Sequence, residues 1–519
     1  MRPRATIHPA LALALAALAC APGGCAGRGR PAPTTLRWVV GGVEPRFDPH
    51  GPPHAIRQAL ERWLSFGLLA EDSAGVLRPA AAGAWSASPD SLIWTFRLRP
   101  DLRFTDGTPC RSEDFRRALT AGLARADHAT ERWLLGAVTG MDAVRAGRPL
   151  PRLGIEASGP NTLVIRLART DARWPRALAL PGIGVPWRHP PDSARWDRAV
   201  GLGPYRVVGA APGRSLTLAR TVAVAGPDTV EVRFAPGAPR VRALLRAGRA
   251  ALVWPLPPTL LDQPLPGGAR FRLARARPER HLLLVMRADL PPTSRPAARA
   301  AIAHGLSRAA ARRALGARGE PVAEWPSRAG RFDFPAYDDA AVRGWMERGR
   351  LGRSFHVEMG FDADGAGALV ARPLQTEWAR VGIDVGLVPL HGEQAVARAL
   401  VRGPHLFLVE SQPPLEGTAA ELATLVLPMR GPAVGAFRTG WRTREFDPWI
   451  DPAAPRRSLP LVPEAVRRRL EEERVALPLA RLPWTWVEGG PLPAAVRPHP
   501  RFGPAFLSPI PGPADAVLR

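Results

Sequence analysis

Every one of the 71 basic residues in this chain is an arginine; there is no lysine. That removes several chemistries at once. A phosphate-binding Gly-x-x-x-x-Gly-Lys loop, a Schiff-base lysine and a Ser-x-x-Lys nucleophile all need an amine that a guanidinium cannot replace. No Gly-x-Ser-x-Gly elbow, His-Glu-x-x-His pair or Cys-x-x-Cys couple is present, so serine, zinc-hydrolase and dithiol chemistry lack their local signatures. His50 and His54 stand four apart, a ligand spacing on a helix, but Pro52 and Pro53 lie between them and no second pair completes a site. No metal, cofactor or catalytic residue is therefore expected, and the chain reads as a non-enzyme. Cys110 reads as a small apolar side chain, not a reactive thiol. The acidic runs Asp338-Asp339 and Glu471-Glu472-Glu473 read as solvated faces. Sixteen tryptophans against two tyrosines read mainly as packing, with one or two available as aromatic surface for a ligand.

The elements that must position such residues can be read from periodicity. Residues 36–40 form a strand candidate ending in Gly41-Gly42, and 56–69 carry Leu60, Trp63, Leu64 and Leu68 at helical spacing. Residues 94–99 alternate as a half-buried strand; the turn Asp106-Gly107-Thr108-Pro109 follows, and Ser112-Glu113-Asp114 opens a helix through Leu123. Residues 154–157 and 162–167 flank the turn Gly159-Pro160-Asn161 as a hairpin. Strands over 229–234 and 251–254 bracket a helix over 240–247. The last third alternates strand 282–286, helix 297–315, strand 355–361, helix 368–381 and strand 384–388, a rhythm that predicts an α/β layer with parallel strands.

Hydrophobic residues at 46% and charged residues at 23% are globular usage, and the length suits two or three domains of ~100–200 residues. A formal charge of +25 would point to nucleic acid or an anionic surface, but the arginines are spread through every region. No aromatic-interleaved basic stripe accompanies them, so no nucleic-acid function is expected. Arg2 and Arg4 precede an apolar run over 10–19 and then Ala17-Leu18-Ala19-Cys20, the order of a bacterial lipoprotein signal. Residues 1–20 are expected to be that signal, Cys20 the lipid-attachment residue, and 21–35 a flexible tether. A plain secretory signal is the alternative, and Cys25, after Pro22-Gly23-Gly24, is the poorer acceptor. Either way the chain leaves the cytoplasm. The apolar run is too short for a permanent span, which needs ~20 apolar residues. Only Cys110 then lies in the folded region, so no disulfide framework is expected.

The order of these segments resembles the peptide/nickel family (family 5) of extracytoplasmic solute-binding proteins that serve ABC importers, the oligopeptide- and dipeptide-binding proteins among them. The residues carrying the resemblance are Phe47-Asp48-Pro49; Ala84-Trp85 with Ser88-Pro89-Asp90; Trp94 to Arg99; Phe104-Thr105-Asp106-Gly107-Thr108-Pro109 with Ser112-Glu113-Asp114-Phe115; Gly201-Leu202-Gly203-Pro204-Tyr205; Arg299 to Ile302; and Gly382-Ile383-Asp384-Val385. The resemblance implies an α/β periplasmic-binding-protein type II fold, with two lobes, three domains and an interlobe ligand cleft. It assigns 36–66, 184–262 and 488–519 to domain I, 67–183 to domain II and 263–487 to domain III. It also implies a peptide or other small organic solute, ABC permease subunits as partners, a membrane-anchored place on the periplasmic or extracytoplasmic face, and a monomer. An envelope lipoprotein acting in protein–protein interaction or sensing is the alternative.

Near the ligand the chain departs from the family. Peptide-binding relatives carry a tryptophan and then an aspartate just after a second-lobe strand, the aspartate pairing with the ligand's amino group. Here the strand over 406–410 runs into Ser411-Gln412-Pro413-Pro414-Leu415-Glu416. By order Ser411 falls near the tryptophan and Pro414 near the aspartate. The substrate-binding candidates are therefore Glu410, Ser411, Gln412 and Glu416, with either glutamate able to replace the aspartate only if the backbone turns it into the cleft. The Asp106-Gly107 and Gly203-Pro204 turns are read as scaffold.

Overall fold

The computed structural model describes residues 34–49, 54–72, 75–124, 137–140, 153–168, 174–189, 194–222, 226–267, 270–321, 334–391, 403–411, 464–490, 492, 496–499 and 503–506. The expected signal, Cys20, the tether to residue 33 and His50 lie outside the described residues.

Strand β1 (Thr35–Val40) puts Leu36, Trp38 and Val40 into one apolar cluster and Val39 into another, the pattern of a strand covered on both faces. Its neighbours are two parallel strands, β10 (Thr229–Phe234) and β11 (Leu252–Val253). Antiparallel β9 (Ser215–Arg220) and β8 (Tyr205–Ala211) complete that side. Helix α1 (Ala55–Leu64) contributes Ile56, Leu60 and Trp63 to the core around Trp38, and α3 (Ala238–Arg246) covers the Val39 face.

A separate core, with Phe96, Phe115, Leu119, Ile165 and Trp174 at its centre, is built on a four-stranded antiparallel sheet. Its strands are β4 (Ala82–Ala87), β5 (Ile93–Leu98), β7 (Thr162–Arg166) and β6 (Ile155–Ala157), in that order. The short hairpin β2 (Leu69–Glu71) and β3 (Leu77–Pro79) leads into it, and helix α2 (Ser112–Ala124) packs on it.

The third core holds Leu284, Ile302, Met359, Leu374 and Trp378. Here β14 (Phe355–Asp362) runs parallel to both β15 (Ile383–Leu390) and β16 (Leu406–Ser411), as the alternation predicts. The covering helices are α4 (Pro296–His304), α5 (Arg308–Leu315), α6 (Asp339–Arg348) and α7 (Gly367–Arg380), with α8 (Glu464–Glu473) against α4.

Two long antiparallel strands join the first core to the third: β12 (Arg272–Met286, 15 residues) and β17 (Ala476–Glu488, 13 residues). At one end β17 pairs with β11; at the other β12 pairs with β16. The large sheet therefore runs β15-β14-β16-β12-β17-β11-β1-β10-β9-β8, with β13 (Glu320–Pro321) beside β17. Midway, Pro278 faces Pro483, and the register shifts between Arg275 and Pro278, between Pro278 and Arg280, and again between Leu282 and Leu283. Neither proline has an N–H to donate, so the ladder is weakest at this crossing.

Three expectations need correction. The helix predicted over 56–69 stops at Leu64. The Gly203 amide takes the Leu64 carbonyl (2.8 Å) and the Ser65 hydroxyl turns to Leu202 N (3.1 Å). The single helix predicted over 297–315 is two, broken at Gly305, where a Cβ would come within 2.8 Å of Trp378; Ser307 then caps α5. Glu473 is not on a solvated face: it pairs with the buried Arg299 guanidinium, which also bonds the Glu473 and Thr293 carbonyls.

Candidate functional site

Strand β16 delivers Glu410 opposite Leu282 and Ser411 opposite His281. One residue earlier on β12, Arg280 donates from Nη1 to Glu410 Oε2 and from Nη2 to the Pro483 carbonyl (3.2 Å). Its guanidinium carbon lies 3.7 Å from the centre of the Trp484 ring. The second carboxylate oxygen, Glu410 Oε1, accepts the Ala366 amide (2.5 Å) at the start of α7. Both Glu410 oxygens are thus engaged, one by the crossing strand and one by a helix N-terminus, where a carboxylate suits the helix dipole. Burial lowers the Arg280 pKa, and the Glu410 charge opposes that shift.

Asp362, at the end of β14, belongs to the same cluster. Desolvation raises its pKa to about 6; the Asp364 amide opposes this and the Glu410 charge adds to it. Its side chain nonetheless reaches the surface. His281 is buried, and desolvation followed by the Arg481 charge lowers its pKa to about 4.

The tryptophans of the first core reach the crossing. Trp38 Nε1 donates to the Trp254 carbonyl (2.8 Å), and the Trp254 and Trp484 rings lie 5.0 Å apart. Arg280 Nε, Trp254 Nε1 and Trp484 Nε1 are buried donors with no hydrogen-bond acceptor among the described residues.

The nominated residues are placed only in part. Glu410 sits in the cluster just described and Ser411 ends β16; Gln412 and Glu416 lie outside the described residues. Arg280, Asp362, Trp254 and Trp484 were not nominated. The Trp484-Thr485-Trp486 alternation was the one available signal, since it sets both rings on one strand face. Nothing local marks Arg280 among so many arginines.

The motifs read as scaffold act as scaffold. The Asp106 carboxylate accepts the Thr108 amide (2.9 Å) while Gly107 takes a positive φ of 87°. A Cβ on Gly203 would meet the Leu64 carbonyl carbon at 2.4 Å. His54 is the N-cap of α1, its Nδ1 accepting the Arg57 amide (3.3 Å), and burial pushes its pKa down to about 4. Cys110 is buried and free, its pKa raised by desolvation. Among the described residues no group of His, Cys, Asp and Glu could hold a metal, and no helix is long and apolar enough to cross a membrane.

Two lobes' worth of sheet joined by two crossing strands, with polar side chains gathered at the crossing, is the plan of a two-lobed binding protein. The chain belongs to the bacterial extracellular solute-binding proteins, family 5, whose model matches residues 76–412. It is 32% identical over 131 residues to the periplasmic oligopeptide-binding protein OppA of Haemophilus influenzae, a stretch covering 24% of either chain. Among solved structures it superposes on H. influenzae OppA in complex with the peptide RPPGFSPFR, with a TM-score of 0.76 at 17% identity over 92% of this chain and 98% of that one. It also superposes on AgaA of A. tumefaciens R10 in complex with agropinic acid, with a TM-score of 0.73 at 18% identity over 91% and 96%. The fold is thus the α/β periplasmic-binding-protein type II fold expected from the sequence.

Proposed function

We propose that this protein captures a peptide-like or other small organic solute outside the cytoplasmic membrane and hands it to the permease of an ABC importer. The observation that carries the reading is the paired crossing of β12 and β17: it joins two separately packed lobes through a bulged, proline-facing joint with charged and aromatic side chains beside it. A solute held there would touch both lobes, and hinge motion would make the loaded shape recognisable to a permease. No bond need be broken. That relatives of the same architecture hold a nonapeptide in one case and agropinic acid in another supports both solute classes.

The finer assignments are part of this proposal. The three-domain division is supported by separately packed cores in the three regions; its crossings near residues 67, 184, 263 and 488 rest on the order of the sequence motifs. Attachment through a lipid on Cys20 rests on the sequence before it. The segment 410–412, with Glu416, would border the solute. Recognition of a free peptide amine would be weak, because Glu410 already serves Arg280 and Ala366 and Pro414 offers only a carbonyl. Mass spectrometry of small molecules released from the purified full chain tests the function: a bound peptide or organic solute is expected, and reproducible absence of any, with no response to added solutes, would refute it.

A further inference from the structure

We infer that the solute presents a carboxylate to a floor made by Arg280, Trp254 and Trp484; this rests on the solute-binding reading and names the class of solute within it. Three buried N–H donors with no acceptor among the described residues, Arg280 Nε, Trp254 Nε1 and Trp484 Nε1, occur in one cluster. The guanidinium lies 3.7 Å from the Trp484 ring centre, and the two indoles are 5.0 Å apart. The neighbouring acceptors are already engaged. The Pro483 carbonyl takes Arg280 Nη2, the Trp254 carbonyl takes Trp38 Nε1, and Glu410 takes Arg280 Nη1 and the Ala366 amide.

Counting lone pairs decides what fits. A water or a carbonyl oxygen accepts about two hydrogen bonds and a carboxylate about four, so a carboxylate, unlike either, has lone pairs enough for three donors. Glu410 balances the Arg280 charge. The attraction therefore comes from fixed N–H dipoles in a dry site rather than from net charge, the arrangement that favours an anion without reorganisation. An ammonium placed there would face three N–H donors, and each neighbouring acceptor already holds at least one hydrogen bond. For a solute to reach these buried donors the lobes must part, and the Pro278–Pro483 crossing is where they would bend.

Calorimetry on the full chain tests this with matched probes: trialanine and pentaalanine as free acids, the same peptides as C-terminal amides, and succinate. The free acids are expected to bind at least about 10-fold more tightly than the amides, as loss of hydrogen bonds to a charged group implies. Trp484→Phe, which keeps a ring under Arg280 but removes one donor, should erase about 10-fold of that preference by weakening the free acids more than the amides. Trp254→Phe should do the same, and thermal melts identify a variant that fails to fold. Equal binding of acid and amide, or equal losses for both in folded variants, would overturn the inference while leaving solute capture intact. If no probe binds, the compound released from the purified protein decides: a carboxylate-bearing molecule supports the inference, and one without a carboxylate overturns it. Absence of both binding and released compound brings down the solute-binding reading and the inference with it.

Discussion

Glu410 bridges Arg280 on the crossing strand and the Ala366 amide at the start of α7, with side-chain exposures of only 16% for the arginine and 26% for the glutamate. Neutralising it leaves a guanidinium largely out of water with no anion beside it, only the Pro483 carbonyl and the Trp484 ring face. Glu410→Gln should therefore lower stability by about 2–3 kcal/mol, toward the lower end for a broken buried pair because some solvent reaches it. Urea denaturation checks this: a shifted midpoint with unchanged slope is expected, and a change under about 0.5 kcal/mol would mean that the pair contributes nothing net. Glu410 was legible as a polar residue closing an apolar strand. Its partner was not, because Arg280 and Glu410 are 130 positions apart and no local spacing links them.

At the scale of elements, periodicity placed β5, β14, β15 and α7 closely, since each buries one face against a single core, and β1 as a short apolar run covered on both faces. It failed where a distant chain decides the boundary. The end of α1 is set by Gly203, and the break between α4 and α5 by the Trp378 ring against Gly305. The first ten residues of β12 escaped because Arg, Pro, Glu and His within it break the alternation; they become strand only by pairing with β17. Gly203→Ala forces a Cβ to within 2.4 Å of backbone that cannot yield, and should cost ~3 kcal/mol or more. Gly209→Ala, where the nearest atoms lie at 3.5 Å, is the control and should stay within about 0.5 kcal/mol. Thermal melts of the pair separate the two, and equal melting points would contradict this account of where α1 ends.

For the whole molecule, two desolvated histidines set the response to acid. His54 and His281 have pKa values lowered to about 4, against 6.5 when unburied. The unfolded chain binds their protons first, so stability present above pH 6.5 is lost as pH falls toward 4. Asp362 works oppositely: raised to about 6 from 3.8, it adds stability below pH 3.8 that is lost as pH rises through 6. Its exposure weakens that contribution, so the histidines should win. Melting temperature should fall from pH 7 to pH 4, and His54→Asn, which keeps a good cap, should flatten part of the fall; a melting temperature unchanged over that range would contradict the sign. The facing Pro278 and Pro483 carry a further consequence. A joint whose opposed residues have no hydrogen to exchange bends by elastic strain rather than by bond rupture. Deuterium uptake should accordingly find two slow islands, 282–286 with 476–480 and 272–274 with 486–488, on either side of a fast gap. The rhythm of opening should then depend weakly on temperature, because no backbone hydrogen bond need melt at the facing prolines for the lobes to part.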